Sequence, residues 1–428
     1  MNRIIRNAAR VAAALALGTA AAGAQSIASR VSSAGQGEVR MTYATRPDVC
    51  GDGNEMFGVG DNFMMNSTST FEGRWTNTNC RHGAARVSLQ IGPSGIVAIR
   101  TRIGGSWSAS SGHVIDLGVV SAPAAAAYFL DLAEQGSDAD ARSVLMPAIV
   151  ADSADIAPRL LAIGRRASLP TEMRRNAIRW AGMLGDASMV APLTELAKSG
   201  DDGKKSIAEA AVFALSRLPG NVGTPSLIDL AHNGGSERIR SQAVFWLGQS
   251  SDERGRREVR AIAGDANTPA GVREKAVFAL GHSDATTADD LRFLRDLFGR
   301  VNSDGIRNQI LMSMAQSDDS EARKWVMSVA RDENEPVEAR KKAIFWAGQG
   351  DIATTEIAAF YDAASNEEVK EHAIFVLSQR NDQAATDKLL AIVHGHDGTE
   401  LRKKALFWLG QKNDPAVTKA ITDLVTGP

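Results

Sequence analysis

The sequence predicts a mainly α-helical chain, an α–α solenoid of about nine tandem helix pairs preceded by a small β module that carries one disulfide. Three observations predict it. A seven-residue phrase recurs at near-constant spacing from residue 143 to residue 411. Helical periodicity is missing from residues 38–120, where Gly, Thr, Ser and Asn rise. The two cysteines of the chain, Cys50 and Cys80, both fall inside that stretch. With 44% hydrophobic residues, 428 residues can bury an ample core.

Taken in order, residues 1–24 read as an export signal. Arg3, Arg6 and Arg10 give a basic start, Val11 to Ala22 an apolar stretch, and Ala22-Gly23-Ala24 a small-x-small cleavage pattern before Gln25. An apolar run of about a dozen residues is too short to span a bilayer comfortably. An exported protein, periplasmic or secreted, without a membrane span is expected. Residues 25–37 read as a linker. The formal charge of −2 becomes −5 once the three arginines leave with the signal. Acids and bases are interspersed and no basic block accumulates, which argues against nucleic acid as the partner.

Residues 38–120 read as the β module. Val87–Ile91 and Ile96–Arg100 flank Gly92-Pro93-Ser94-Gly95 as a hairpin, and residues 38–45 and 114–120 are further strand candidates. An even cysteine count in an exported chain points to a Cys50–Cys80 disulfide, stabilising by roughly 3–4 kcal/mol through loop closure. The stretch between the cysteines reads as loop. A small antiparallel domain that caps the first helices, or a separate recognition module, would account for this region.

Residues 122–428 carry the repeat. Ala243-Val244-Phe245-Trp246-Leu247-Gly248-Gln249 returns from Ala276, Ala343, Ala373 and Ala405, with weaker copies from Ala177, Ala211 and Ile310 and a degenerate one near Ser143. Successive starts lie 30 to 34 residues apart. An Asp falls eight or nine residues after most starts, among them Asp186, Asp252 and Asp382. The first, second and fifth residues of the phrase share one side of a helix and are the predicted core. The Gly and the polar run through the Asp mark a helix end and a turn. A second apolar segment completes each unit, so neighbouring units must stack to bury both. Residues 122–136 read as a lone second helix opening the array.

The Ala-x-x-x-Leu-Gly helix alternating with a Leu-rich helix resembles HEAT repeats of the phycobilisome-lyase type over residues 122–428. That resemblance implies a right-handed α–α solenoid of about nine HEAT-like repeats, with the motif helices on its concave side. It is nearly silent on activity. Iron hydroxylases built from such repeats coordinate metal with His-Glu pairs. Here the residues after the seven histidines are Gly83, Val114, Asn233, Ser283, Ala373, Gly395 and Asp397, so that feature does not carry over. An export signal also fits poorly with bilin attachment. His394 and His396 could share a metal or form a turn. Asp52, Asn54, Glu55, Asp61 and Asn62 lack a full calcium spacing. No nucleophile elbow or phosphate-cradling loop is present. The expectation is a non-catalytic chain with no cofactor and no metal. The alternative is an envelope enzyme or metal-dependent protein with its site in the β module or at His394 and His396.

One pattern goes beyond architecture. Phe245 and Gln249, Phe278 and His282, Met312 and Gln316, Phe345 and Gln349, Phe375 and Gln379, and Phe407 and Gln411 are pairs four residues apart. Such pairs are neighbours on one helical face, turned by around 150° from Ala243 and Leu247. An aromatic stripe beside an amide stripe would suit an extended polypeptide, because an amide both donates to and accepts from a backbone. Alternatively each Phe fills the seam between units and each Gln bonds turn backbone. Trp246, Trp346 and Trp408 read as packing residues. The function expected is a protein-binding scaffold or adaptor of the cell envelope with a protein or peptide partner.

Overall fold

The computed structural model describes residues 26–54, 56–59, 63–65, 70–72, 80–108, 112–136, 141–152, 155–199, 206–283 and 286–412. The expected signal at residues 1–24 lies outside them. The chain divides into two compact units, Met1–Ile239 and Arg240–Pro428.

In the first unit, residues 26–32 form a helix, α1, with Ile27 and Val31 buried. The stretch read as a linker is therefore packed. A four-stranded sheet follows in the order β7-β6-β1-β8, built from β1 (Gly37–Tyr43), β6 (Ala85–Gly92), β7 (Gly95–Ile103) and β8 (Val114–Val119). Along β1, Val39, Met41 and Tyr43 are buried while Arg40 and Thr42 face the other way, the period-two pattern of a strand. The β6–β7 hairpin matches the expected one and extends it, closing on the Gly92–Gly95 pair. Gly95 has φ +115°, a conformation that favours glycine.

Two features depart from the sequence reading. The sheet is mixed, because β8 pairs with β1 in parallel. Parallel neighbours need a long connection, and residues 44–113 supply it. The Cys50–Cys80 stretch also holds a second sheet, in the order β2-β3-β4-β5, from β2 (Val49–Gly51), β3 (Phe57–Val59), β4 (Phe63–Met65) and β5 (Thr70–Glu72). Strands of three residues are too short to show an alternation. The disulfide forms as expected, with Cα atoms 5.2 Å apart.

The β module docks on the first helices. Tyr43 Oη donates to the Pro147 carbonyl at 2.8 Å, Arg46 N donates to Val150 O at 3.0 Å, and Asp152 N donates to Ala44 O at 2.9 Å. Helices α2 (Ala122–Glu134), α3 (Ala141–Val150), α4 (Ala157–Arg165), α5 (Thr171–Leu184), α6 (Val190–Ala197), α7 (Ile207–Arg217) and α8 (Thr224–Asn233) complete the unit. The motif copies α3, α5 and α7 stack in one layer, with α2 against α4 and α6 against α8 in the other.

The second unit repeats the plan. Its motif helices are α9 (Glu237–Gly248), α11 (Ala270–Gly281), α13 (Asp304–Ala315), α15 (Val337–Gln349), α17 (Glu367–Ser378) and α19 (Thr399–Gly410). Between them run α10 (Glu253–Gly264), α12 (Ala288–Phe298), α14 (Ser320–Arg331), α16 (Thr354–Ala363) and α18 (Gln383–His394). The predicted core positions are buried: Ala243, Val244, Leu247, Ala276, Val277 and Leu280 are all fully enclosed.

Three recurrent contacts explain why the phrase repeats. The sixth residue of the phrase meets the fourth residue of the next copy. A Cβ added to Gly182 would lie 2.6 Å from Ala214 Cβ, one on Gly248 2.5 Å from Ala279 Cβ, and one on Gly281 2.4 Å from Ser313 Cβ. On Gly348 it would lie 2.1 Å from Val376 Cγ1. Glycine lets these helices touch. Where the sixth residue is Ala315 or Ser378, the fourth residue of the next copy is Trp346 or Trp408. These rings lie back across the preceding motif helix. Trp346 Nε1 donates to Asn308 Oδ1 at 2.9 Å, and the Trp408 ring sits 5.2 Å from that of Phe375.

The second contact is the repeated Asp. Asp252 and Asp382 accept from backbone N–H groups at the starts of α10 and α18, satisfying donors that a helix leaves unpaired. Asp186 caps the 3-10 turn before α6 in the same way. Next to Asp318 it is Asp319 that caps α14.

The third is an Arg three residues ahead of the phrase. Its Nε donates to a carbonyl in the last turn of the preceding helix: Arg174 to Gly164 O at 3.0 Å, Arg273 to Ala263 O at 3.2 Å, Arg340 to Ala330 O at 3.0 Å, and Arg402 to Val393 O at 2.9 Å. A cation at that place also complements the negative helix end.

Candidate functional site

The positions of the Phe and Gln ladder fall on one side of the motif helices. In the second unit Phe245, Phe278, Met312, Phe345 and Phe375 are half-buried, and Phe407 is 56% exposed. Phe245, Phe278, Phe345 and Phe375 each share a helix with fully buried first and second residues, so the helical twist holds part of each ring at the surface. Beside Phe407 only the first residue, Ala405, is buried, and Leu406 is exposed. The rings form runs. Phe245 and Phe278 stack with centroids 6.3 Å apart, and Phe345 and Phe375 do so at 6.5 Å. Lys275 Nζ lies 4.9 Å from the Phe278 centroid, and His282 stacks on Phe278 at 4.5 Å. Trp346 and Trp408 meet Phe345 and Phe407 edge-on, each at 5.1 Å.

The amide row divides. Gln249 Nε2 donates to the His282 carbonyl at 3.2 Å, and His282 Nε2 pairs with Gln316 Oε1 at 2.5 Å. These side chains tie the ends of α9, α11 and α13 together, which is the turn-bonding alternative. Gln349, Gln379 and Gln411 are exposed, Gln379 bonding Ser378 Oγ at 3.2 Å. Phe and Gln thus lie side by side at the surface from Phe345 to Gln411.

The equivalent face of the first unit is different. Its third positions are Arg179 and Phe213, and Phe213 is buried with the guanidinium carbons of Arg179 and Arg217 at 5.3 and 5.1 Å from its centroid.

The alternative sites stand apart from this face. His394 ends α18 and His396 lies in the turn after it, both exposed, while Asp397 Oδ1 receives Lys370 Nζ at 3.1 Å. Asp52 Oδ1 accepts from Asn54 N at 2.7 Å, a local turn, and Glu55, Asp61 and Asn62 lie outside the described residues. Among the described residues no group of three His, Cys, Asp or Glu side chains could hold a metal ion.

A cleft that the sequence reading missed lies on the outer face of the β7-β6-β1-β8 sheet. It encloses about 370 Å³ and is lined by Arg40, Arg86, Arg100, Arg102 and Trp107, with Glu38 at one side. Strand register makes it. Arg40 pairs with Ser88 and Ser88 with Arg100, while Arg86 pairs with Arg102, so all four arginines project from one face. Arg86 is buried. Its Nε donates to Gly104 O at 2.7 Å and its Nη2 to Gly53 O at 2.5 Å, and its Nη1 bonds the Ser106 carbonyl. Burial, then the neighbouring Arg102 and Arg40, lowers its pKa from the ordinary arginine value. The signal that could have found the cleft was Arg at alternate positions, Arg100 and Arg102, with Arg102 opposite Arg86 just beyond the predicted hairpin strands.

No curated protein is recognisably similar to the chain in sequence. Among solved structures it is similar to human deoxyhypusine hydroxylase in complex with glycerol, at 16% identity, covering 56% of this chain and 91% of that one with a TM-score of 0.27. It is likewise similar to phycocyanin lyase from Nostoc sp., at 16% identity over 59% of this chain and 96% of that one, TM-score 0.29. Lipovitellin aligns at 12% identity over 78% of this chain and 42% of that one, TM-score 0.45. The family model for HEAT repeats matches residues 224–315. Within those bounds lie the copies of the phrase from Ala243 and Ala276 and the start of the one from Ile310, so the phrase there falls inside the stretch that matches HEAT repeats.

Proposed function

We propose that this chain is a non-catalytic protein-binding scaffold of the cell envelope, and that the motif-helix face of residues 345–411 holds an extended segment of a partner polypeptide. One observation carries the reading. The Phe345 and Phe375 rings stack 6.5 Å apart at a partly open surface. Alternate residues of an extended chain, which point the same way, repeat at about 6.6 Å. Side chains of such a chain could seat between successive rings, while the exposed Gln349, Gln379 and Gln411 amides donate to and accept from its backbone. HEAT repeats commonly bind proteins, which favours the same reading. The export pattern at residues 1–24 supports an envelope location, and a mature N-terminus at Gln25 in the native host is the expected outcome of N-terminal sequencing.

The scaffold reading is tested with a variant in which Gln349, Gln379 and Gln411 are replaced by Ala. Normal helicity by circular dichroism with weakened capture of the partner from envelope extract supports it. Normal helicity with undiminished capture removes the amides from the binding face.

A further inference from the structure

We propose that Trp408 is the specificity-determining donor of the motif-helix face. Its indole N–H takes a backbone carbonyl of the bound polypeptide, and an apolar side chain of that polypeptide seats beside it against Phe375 and Phe407. This assignment rests on the binding role given to residues 345–411.

Two copies of the phrase differ at one atom. Trp346 and Trp408 hold the same fourth place, and each meets the Phe before it edge-on, at 5.1 Å and 75°. Trp346 Nε1 donates to Asn308 Oδ1 at 2.9 Å. Asn308 stands two residues ahead of its phrase, and the residue in that place on the helix before Trp408 is Glu371. Glu371 is drawn away, because its Oε1 pairs with Lys404 Nζ at 2.6 Å. Among the described residues Trp408 Nε1 therefore has no acceptor, although its ring is half-buried. An indole N–H can only donate, and in apolar surroundings it usually finds a partner.

The surroundings suit an extended peptide. The Trp408 ring lies 5.2 Å from that of Phe375, and Phe407 beside it is 56% exposed. Apolar ring surface with one donor at its edge is what makes Trp frequent among the residues that dominate protein interfaces. Glu371 and Gln379 stand one turn to either side of Phe375 on α17. Trp346 points its N–H toward the helix-start side of the ring row, and the matched ring pose gives Trp408 the same heading. The exposed Gln379 and Gln411 amides lie on the opposite side. An extended backbone carries polar groups along both edges and alternate side chains on one face. Laid over the rings, it meets the indole N–H at one edge and the amides at the other.

The test is fluorescence anisotropy with the full mature protein and a fluorescein-labelled octapeptide of alternating Leu and Ser, blocked at both ends. Saturable binding is expected, with none of an all-Ser octapeptide. Trp408→Phe keeps an aromatic ring and deletes the N–H. It is expected to weaken binding roughly tenfold while the circular dichroism spectrum is unchanged. Trp346→Phe is the matched control, because its N–H is spent on Asn308. Its melting temperature is expected to fall while its affinity stays at the wild-type value. Binding that Trp408→Phe leaves unchanged, or that both variants weaken equally, overturns the assignment of Trp408 and leaves the scaffold reading standing. Equal binding of the all-Ser peptide overturns the apolar seat. Absence of saturable binding to the wild type overturns this proposal together with that reading.

Discussion

At the scale of single residues, the repeat is held in register by size matching between neighbours. A glycine at the sixth place of the phrase meets Ala279, Ser313 or Val376 so closely that an added methyl group has no room. Gly281→Ala is expected to destabilise the protein by about 1–3 kcal/mol, the usual cost of overpacking. Ser313→Gly in the same chain is expected to restore part of that loss, because it removes the atom that the new methyl would strike. Thermal denaturation of the single and double variants reads both effects. The Arg ahead of the phrase is equally specific. Arg340→Met keeps much of the buried stem but loses the bond to Ala330 O, at a cost of about 1.5–3 kcal/mol. Size matching was legible in part: the recurring Gly announced close helix approach, but its partner four positions into the next copy could be named only once the helices were stacked. The Arg was not legible, since an arginine at a helix start reads as an ordinary exposed charge until its acceptor is known.

At the scale of elements, α10 and α12 are joined by a buried ion pair. Arg256 is 2% exposed and Asp290 fully buried. Asp290 accepts from Arg256 and, at 2.5 Å, from Arg260, and it closes a capping box with Thr287. Burial works to raise the Asp290 pKa, yet the Thr287 hydroxyl and the Arg256 guanidinium outweigh it, and the net shift is downward. A carboxylate with a lowered folded-state pKa contributes stability that is present above its ordinary range and lost as pH falls through the lowered value. Asp290→Asn leaves two guanidinium groups facing a neutral amide and is expected to cost about 3–5 kcal/mol at neutral pH. The stability gap between wild type and variant narrows on acidification, which denaturant titration at several pH values reads directly.

The β module shows what short elements hide. Its hairpin and β1 were readable because alternation runs for seven residues or more. The three-residue strands β2 to β5 were not, and neither was the parallel pairing of β1 with β8, which depends on where a long connection returns. The Cys50–Cys80 disulfide closes this region. Replacing both cysteines with Ser is expected to cost about 3–4 kcal/mol through the unfolded state, with the loss confined to the module in hydrogen-exchange protection.

At the scale of the whole molecule, architecture was legible because a tandem helix-pair repeat writes itself into sequence many times over, and a weak signal summed over many copies becomes strong. The candidate binding face was legible only as a pattern. Spacing placed Phe and Gln on one side of each helix, but spacing cannot say which amides neighbouring turns will take. Gln249 and Gln316 are engaged within the stack, and Gln349, Gln379 and Gln411 stand at the surface. The face is thus narrowed from six pairs to the three at its C-terminal end. The most direct test places a photocrosslinking amino acid at Phe407 or Gln379, and at Lys324 on the other helical layer as a control, in protein expressed in its native host. The account predicts that irradiation joins one defined polypeptide to positions 407 and 379 and none to position 324. Adducts of equal yield from all three positions, or none from 407 and 379, would contradict it.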